Sequence, residues 1–247
     1  MKFIFFTHTE YSHLWNIMLH FIEINKIDAI LAINEPSDFF MDKKIQTIIY
    51  PQDTYANKVK FIISKIDDDY FVWNHDIFLM ISINMNLLET LKNIMIQKNI
   101  DKISMHGYDN YTYDIITVNE QIDIVRNKDF FLYSVGPAIW KKSTLIDVMS
   151  TFSNRTYRDI ENNDVQDYMN KNYIIYQICA NKEDDIYHWH HYFNKNFQIC
   201  QIFNGGKLVN FDLGNNKNYI SDYKSLIFDY LDKNKIEINQ TKSFERS

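Results

Sequence analysis

The sequence predicts an α/β layered fold with a largely parallel sheet. Three observations predict it. Short β-prone apolar runs alternate with segments of helical apolar spacing through the first hundred residues, the pattern of strands joined by crossover helices. One of those runs, Tyr70 to Trp73, is continuously apolar, as suits a strand buried on both faces. The length of 247 residues, with 46% hydrophobic and 23% charged residues, suits one generous globular domain. Such a chain buries roughly 70–75% of its unfolded surface and needs no staples.

Element by element, Lys2 to Thr7 reads as a buried first strand. His13 to Asn25 places Leu14, Ile17, Met18, Phe21 and Ile22 at helical spacing. Asp28 to Asn34 is a second strand, stopped by Glu35-Pro36-Ser37-Asp38, and Lys44 to Tyr50 a third, stopped by Pro51-Gln52-Asp53. Tyr55 to Lys65 is helical, with Val59, Ile62 and Ile63 on one face. After the polar break Asp67-Asp68-Asp69 come the strand Tyr70 to Trp73, a helix over Asn86 to Lys98 and a strand over Lys102 to Met105. The second half is less regular. Tyr111 to Val125 suggests a pair of strands, Lys142 to Met149 and Asp164 to Asn170 helices, and Tyr173 to Ile178 and Phe197 to Phe203 strands. Tyr223 to Asp232 reads as a final helix before a polar tail. No repeat or low-complexity linker divides the chain.

Composition excludes several functions. The chain has 5 Gly and 3 Pro, where average usage of roughly 7% and 5% would give far more. It carries no G-x-G-x-x-G and no G-x-x-x-x-G-K-[ST] phosphate loop, so a bound phosphate must be held in another way. Abundant Ile, Asn, Lys, Tyr and Phe with scarce Gly and Pro also fit an AT-rich coding sequence. A net charge of -6 argues against a general nucleic-acid binder. No apolar run approaches the ~18 residues of a membrane helix, and Phe3 to Phe6 is too short for a signal-peptide core. With two cysteines, Cys179 and Cys200, a soluble cytoplasmic protein is expected.

In an open α/β sheet, ligands bind at the carboxyl ends of strands, and three places there carry chemistry. Thr7-His8-Thr9-Glu10-Tyr11-Ser12 follows strand one and offers hydroxyls and backbone N–H groups beside a helix start, suited to a nucleotide. Thr9 or Ser12 suits a plain helix N-cap equally well. Trp73-Asn74-His75-Asp76 ends the buried fourth strand in a carboxylate, which suits either a hard divalent cation or a simple turn. Tyr133 to Lys142 contains the turn signal Gly136-Pro137 and then Trp140, a sugar-stacking platform or a core residue. Beyond it, Asp159, Glu161 and Asp164 include candidates for a general base, though Asp164 also fits a helix N-terminus. In Glu183 to His191, His188 and His190 would share a face on a strand and suit a transition metal; an exposed loop is the alternative.

Several of these pieces, in this order, resemble a group of GT-A-type glycosyltransferases found in bacterial polysaccharide clusters and large DNA viruses. Tyr11-Ser12-His13-Leu14-Trp15 resembles its D-x-Y-S-x-L-W opening. Tyr55-Ala56-Asn57-Lys58-Val59 and Tyr70 to Leu79 are similar to its helix and its strand ending in an acidic site. Ser134-Val135-Gly136-Pro137-Ala138-Ile139-Trp140-Lys141-Lys142 resembles S-x-Q-P-A-I-W-[KR]-[KR], Arg158-Asp159-Ile160-Glu161 resembles W-[ED]-F-E, and Asn204-Gly205-Gly206-Lys207 a late G-K turn. The match covers about residues 1–210.

The resemblance implies a single GT-A domain, Rossmann-like, over 1–247, with a mostly parallel sheet and helices on both faces. About 1–105 would form the nucleotide-sugar half, about 106–215 the acceptor half, and 216–247 a C-terminal helix and tail. The implied activity is inverting transfer of a sugar from a UDP-, GDP- or dTDP-linked donor to a glycan hydroxyl. Thr7, Tyr11, Lys58, His75 and Asp76 would hold the donor, Trp140 and Asp159 would line the acceptor side, and Glu161 would be the base. Asp76 would bind Mn²⁺ or Mg²⁺, with His75 and His190 as further candidate ligands. The chain departs from the family pattern at His75, where an acidic residue is usual, at Thr9 in place of Asp and at Gly136 in place of Gln. His75 is then a metal ligand or a cation that meets the diphosphate directly. A non-catalytic glycan- or nucleotide-binding relative is the alternative, and a metal-dependent nucleotidyltransferase or hydrolase on a similar sheet is a third reading.

Overall fold

The computed structural model describes residues 1–40, 43, 45–76, 78–105, 114–119, 122–128, 131–179, 186–188, 191–193, 197–201, 203–204, 207–208, 229 and 231–235. In chain order the first half comprises β1 (Lys2–Phe6), α1 (Trp15–Asn25), β2 (Ala29–Ile33), β3 (Gln46–Ile49), α2 (Tyr55–Ile63), β4 (Tyr70–His75), β5 (Phe78–Ile83), α3 (Met85–Lys98) and β6 (Lys102–Ser104). The second half adds β7 (Ile115–Asn119), β8 (Ile122–Arg126), β9 (Ala138–Lys141), α4 (Lys142–Thr151), α5 (Asn163–Asn172) and β10 (Ile175–Cys179). It continues with β11 (Ile186–His188), β12 (His191–Phe193), β13 (Phe197–Gln201), β14 (Phe203–Asn204) and β15 (Lys207–Leu208). 3₁₀ helices precede α1 (Thr9–Leu14, two turns) and α5 (Asp159–Glu161, one turn).

A nine-stranded sheet forms the centre, in the order β3-β2-β1-β4-β9-β6-β10-β8-β7. The pairings from β3 to β4 and between β6 and β10 are parallel. Those made by β9 and by β8 are antiparallel. Seven of the nine strands thus share one direction, and only β8 and β9 oppose them. The expected α/β class holds, and its mixed character comes from those two strands. Strands from the two halves interleave, since β9 lies between β4 and β6.

The apolar runs become this sheet because it buries them on both faces. Phe3, Ile4 and Phe5 of β1, all of β2, and Phe71, Val72 and Trp73 of β4 are buried in one core. Strand β9 was not expected; its residues read as a loop entering a helix. Four residues are a weak local signal, and β9 exists because β4 and β6 flank it with free ladder positions. Strand β5 was also unassigned, and it pairs with β13 in a second, antiparallel sheet of order β11-β12-β13-β5.

The scarcity of glycine leaves a trace in the helix ends. Left-handed C-cap positions normally taken by glycine hold Lys26 after α1, at φ 51°, and Asn99 after α3, at φ 52°. Each closes its helix by backbone bonds to the preceding turn, and the left-handed backbone costs a non-glycine residue roughly 1 kcal/mol. Among the described residues, no helix is long and apolar enough to cross a membrane. Of the expected helix Tyr223 to Asp232, residues 229, 231 and 232 are described, and they are helical. Gly205 and Gly206 lie outside the described residues.

Candidate functional site

Strand order fixes where a site can form. From β1 the chain moves outward through β2 to β3, then returns to place β4 on the other side of β1. The carboxyl ends of β1 and β4 therefore flank the point where strand order reverses, the place where open α/β sheets bind ligands. Phe6 pairs with His75 in register there, and the Asp76 N–H donates to the Phe6 carbonyl at 3.0 Å. Asp76 thus begins where the ladder ends. Its carboxylate accepts a bond of 3.3 Å from the His8 N–H, which ties the two strand-end loops together.

Around Asp76 stand Tyr11, Tyr50 and Tyr157, whose hydroxyls all feel its charge. Burial, then Asp76, then Glu10 raise the proton affinity of Tyr11; burial and then Asp76 do the same for Tyr50. Tyr50 stacks on Phe6 at 4.9 Å, and its hydroxyl donates to the Thr7 carbonyl at 2.8 Å. Lys58, in the first turn of α2, carries Nζ 5.5 Å from the centre of the Tyr50 ring. The structure therefore brings Tyr11, Lys58 and Asp76 to one region.

Three expected ligand contacts are corrected. Thr7 is fully buried; its Oγ1 accepts from Trp15 Nε1 at 2.9 Å, so it anchors the opening segment and presents no side chain to a ligand. Trp140 lies on β9 with 1% of its surface exposed and is a core residue, not part of an acceptor surface. His75 is likewise buried, and burial lowers its pKa to about 3, so it is neutral at physiological pH and no cation for a diphosphate. Its Nε2 bonds the Tyr55 hydroxyl at 2.8 Å, and that hydroxyl meets Tyr133 OH at 3.1 Å. A neutral ring in an aromatic hydrogen-bonded chain thus stands at this position. Thr9 is no helix cap either. Its N–H donates to Asn34 Oδ1 at 2.8 Å and its hydroxyl to Glu35 at 2.6 Å, while the cap of that turn is His8.

Glu161 approaches from the other half. It closes the 3₁₀ turn Asp159–Glu161, whose middle residue, Ile160, is fully buried and pins the turn. One carboxylate oxygen accepts from the Val135 N–H at 2.8 Å. Burial raises its pKa above the ordinary carboxylate range, against the Val135 bond and the charge of Lys102. Gln166 of α5 steadies both sides of this contact. Its Nε2 donates to the carbonyls of Glu161 and Tyr133, and its Oε1 accepts from the Tyr133 N–H at 2.9 Å. Asp159 points elsewhere, bonded to the Thr156 hydroxyl, and Asp164 pairs with Arg155.

The hydroxyl of Tyr157 feels both carboxylates. Burial first, then Glu161, then Asp76 raise the proton affinity of its hydroxyl, while 39% of the residue stays exposed. Its ring meets Tyr55 edge-on at 5.5 Å and His75 at 5.7 Å. Nothing in the sequence marks Tyr157, Tyr55 or Tyr133 as a site residue. An isolated tyrosine in a tyrosine-rich chain carries no local signal.

Among the described residues, no group of three His, Cys, Asp or Glu is placed to hold a metal ion. Mg²⁺ commonly uses only one or two carboxylates and completes its shell with substrate phosphates and water. Asp76 fits that shared role, and His75 does not, because its ring is buried and its Nε2 engaged. His190 lies outside the described residues. His188 ends β11 and pairs with His191 of β12.

No protein-family model matches this chain. No curated protein matches it. Among solved structures, its fold is similar to the 4-diphosphocytidyl-2C-methyl-D-erythritol synthase of Anaerococcus prevotii, at 9% identity and a TM-score of 0.46, over 74% of this chain and 90% of that one. A cytidylyltransferase from Leptospira borgpetersenii matches at 9% and 0.46, over 73% and 76%. A UDP-glucose pyrophosphorylase complexed with UDP-glucose matches at 10% and 0.41, over 71% and 89%. The likeness to all three is one of fold.

Proposed function

We propose that this chain is a glycosyltransferase of GT-A type that moves a sugar from a nucleotide-diphosphate donor to a glycan hydroxyl with inversion. The observation that carries the reading is the pair of carboxylates, Asp76 and Glu161, whose charges both reach the Tyr157 hydroxyl, with the Tyr157 ring against His75 at the end of the sheet where strand order reverses. The ordered motifs from Tyr11 to Lys207 support it. In this reading about 1–105 bind the nucleotide sugar and about 106–215 the acceptor.

Glu161 takes the proton of the acceptor hydroxyl. The freed oxygen attacks the anomeric carbon, the bond from that carbon to the diphosphate oxygen breaks, and the nucleoside diphosphate leaves with the bonding pair. A raised proton affinity makes Glu161 a stronger base than an exposed carboxylate, and the Val135 N–H fixes its orientation. Asp76, with the donor phosphates, would hold a divalent cation, whose charge neutralises the leaving diphosphate. Lys58 and Tyr11 border the same space. A second reading, a non-catalytic nucleotide-binding relative, draws on the neutral, buried His75, which leaves Asp76 as the carboxylate of that strand end.

A thermal-shift screen of UDP-, GDP- and dTDP-sugars, with and without Mn²⁺, tests both. A true donor at a hundredfold excess over Kd stabilises the native state by roughly 2.7 kcal/mol. Nucleotide release and sugar transfer with that donor support the enzyme, and a shift without turnover supports the binding relative. If no nucleotide sugar moves the unfolding midpoint, both readings fail.

A further inference from the structure

One buried ionisable group has no part in the reaction as proposed. Lys102 lies on β6 at the centre of the sheet and is fully buried. Its Nζ donates a 2.6 Å hydrogen bond to the Leu132 carbonyl. The remainder of the ammonium group faces aromatic rings, 4.8 Å from the centre of Trp140 and 6.0 Å from that of Tyr133. A buried cation costs several kcal/mol in desolvation, and a methionine would fill the same space without that cost. Lysine at this position therefore calls for a reason beyond packing.

The reason lies in what the Leu132 carbonyl belongs to. Leu132, Tyr133, Ser134 and Val135 form one short loop held at three points. Lys102 grips its first carbonyl, Gln166 grips Tyr133 through both N–H and carbonyl, and Glu161 accepts from the Val135 N–H at its end. Lys102 and Glu161 thus hold the two ends of the same four residues, and each feels the charge of the other.

We propose that Lys102 is the positioning residue for Glu161: it fixes the loop that orients the carboxylate, and its buried positive charge favours the ionised form. The proposal rests on Glu161 as the base. The groups facing Glu161 are the Val135 N–H, Lys102 and the hydroxyls of Tyr55, Tyr133 and Tyr157; those facing Lys102 are Glu161, Tyr133 and Trp140. Burial dominates both partners. It raises Glu161, with Lys102 opposing, and it lowers Lys102 to about 7, with Glu161 opposing. Lys102 therefore loses its proton near neutral pH, and its support of the carboxylate fades above that point.

Carbon-13 labelling of the glutamate carboxyls, with Glu161→Gln to assign the signal, allows Glu161 to be titrated in the free protein. In Lys102→Met its midpoint is expected to rise by about one pH unit. Given the donor found by the screen, the acid limb of kcat follows the same shift while the donor KM stays unchanged. Lys102→Arg, which keeps the charge, restores the wild-type midpoint. An identical Glu161 midpoint in wild type and Lys102→Met overturns the proposal. Should Lys102→Met not fold, the wild-type signal decides: a second inflection near pH 7, absent in Lys102→Arg, is expected, and its absence from wild type overturns the proposal. If the wild type transfers no sugar, the base reading falls, while the titration still reports on the Lys102–Glu161 coupling.

Discussion

The two ends of the site are built differently. On the β1–β4 side, Asp76 is placed by the ladder itself: Phe6 and His75 pair in register, and the backbone of Asp76 closes on the Phe6 carbonyl. On the β9–α5 side, Glu161 is placed by contacts between distant segments, Val135 at its carboxylate, Gln166 at its carbonyl and Lys102 behind the loop. Regular structure thus sets the first carboxylate, and a tertiary clamp sets the second. Both carboxylates are half-buried. Burial raises the proton affinity of the second, which depends on what packs around it.

The largest expected effects separate the two ends directly. Glu161→Gln should lower turnover by ~10²–10⁴ while the donor-induced thermal shift is retained. Asp76→Ala should abolish that thermal shift. A Glu161→Gln protein with full turnover would remove Glu161 as the base and with it any functional difference between the two ends.

Trp140→Ala comes next and tests whether β9 is scaffold. The fully packed indole predicts a loss of about 3–5 kcal/mol in denaturant unfolding. A stable variant with a raised acceptor KM would return Trp140 to the acceptor surface.

The third effect depends on pH. His75 has a folded pKa of about 3 and an unfolded value near 6.5. Between these values the unfolded chain binds the extra proton, so His75 lowers stability as pH falls from about 6.5 toward 3, by up to about 1.4 kcal/mol per pH unit. His75→Gln should flatten that part of the stability profile. An unchanged slope would mean that the ring is hydrated and chargeable.

The smallest effect is expected at Thr7→Val, which strands the buried Trp15 Nε1–H and should cost ~1–3 kcal/mol without altering donor affinity at saturating stability. A change in donor Kd with unchanged stability would restore Thr7 as a ligand contact.

The sequence by itself determined most strands and helices, because apolar periodicity is a local property that burial in a sheet enforces. It also located Asp76 after a buried strand and Glu161 in a polar turn. Only the tertiary structure decided which polar and aromatic side chains face a ligand. Trp140 read as a loop platform and became a core residue once β9 slipped between β4 and β6. Thr7 read as a ligand contact and turned inward to Trp15, and His75 read as a cation or metal ligand and became a neutral link to Tyr55. Tyr157 and Lys102 carried no local signal, yet one feels the charge of both carboxylates and the other grips the loop that Glu161 touches. The physical reason is the same throughout. A residue's place along a strand follows from its neighbours in sequence, whereas its burial, and with it its charge, follows from segments that only the folded chain brings together.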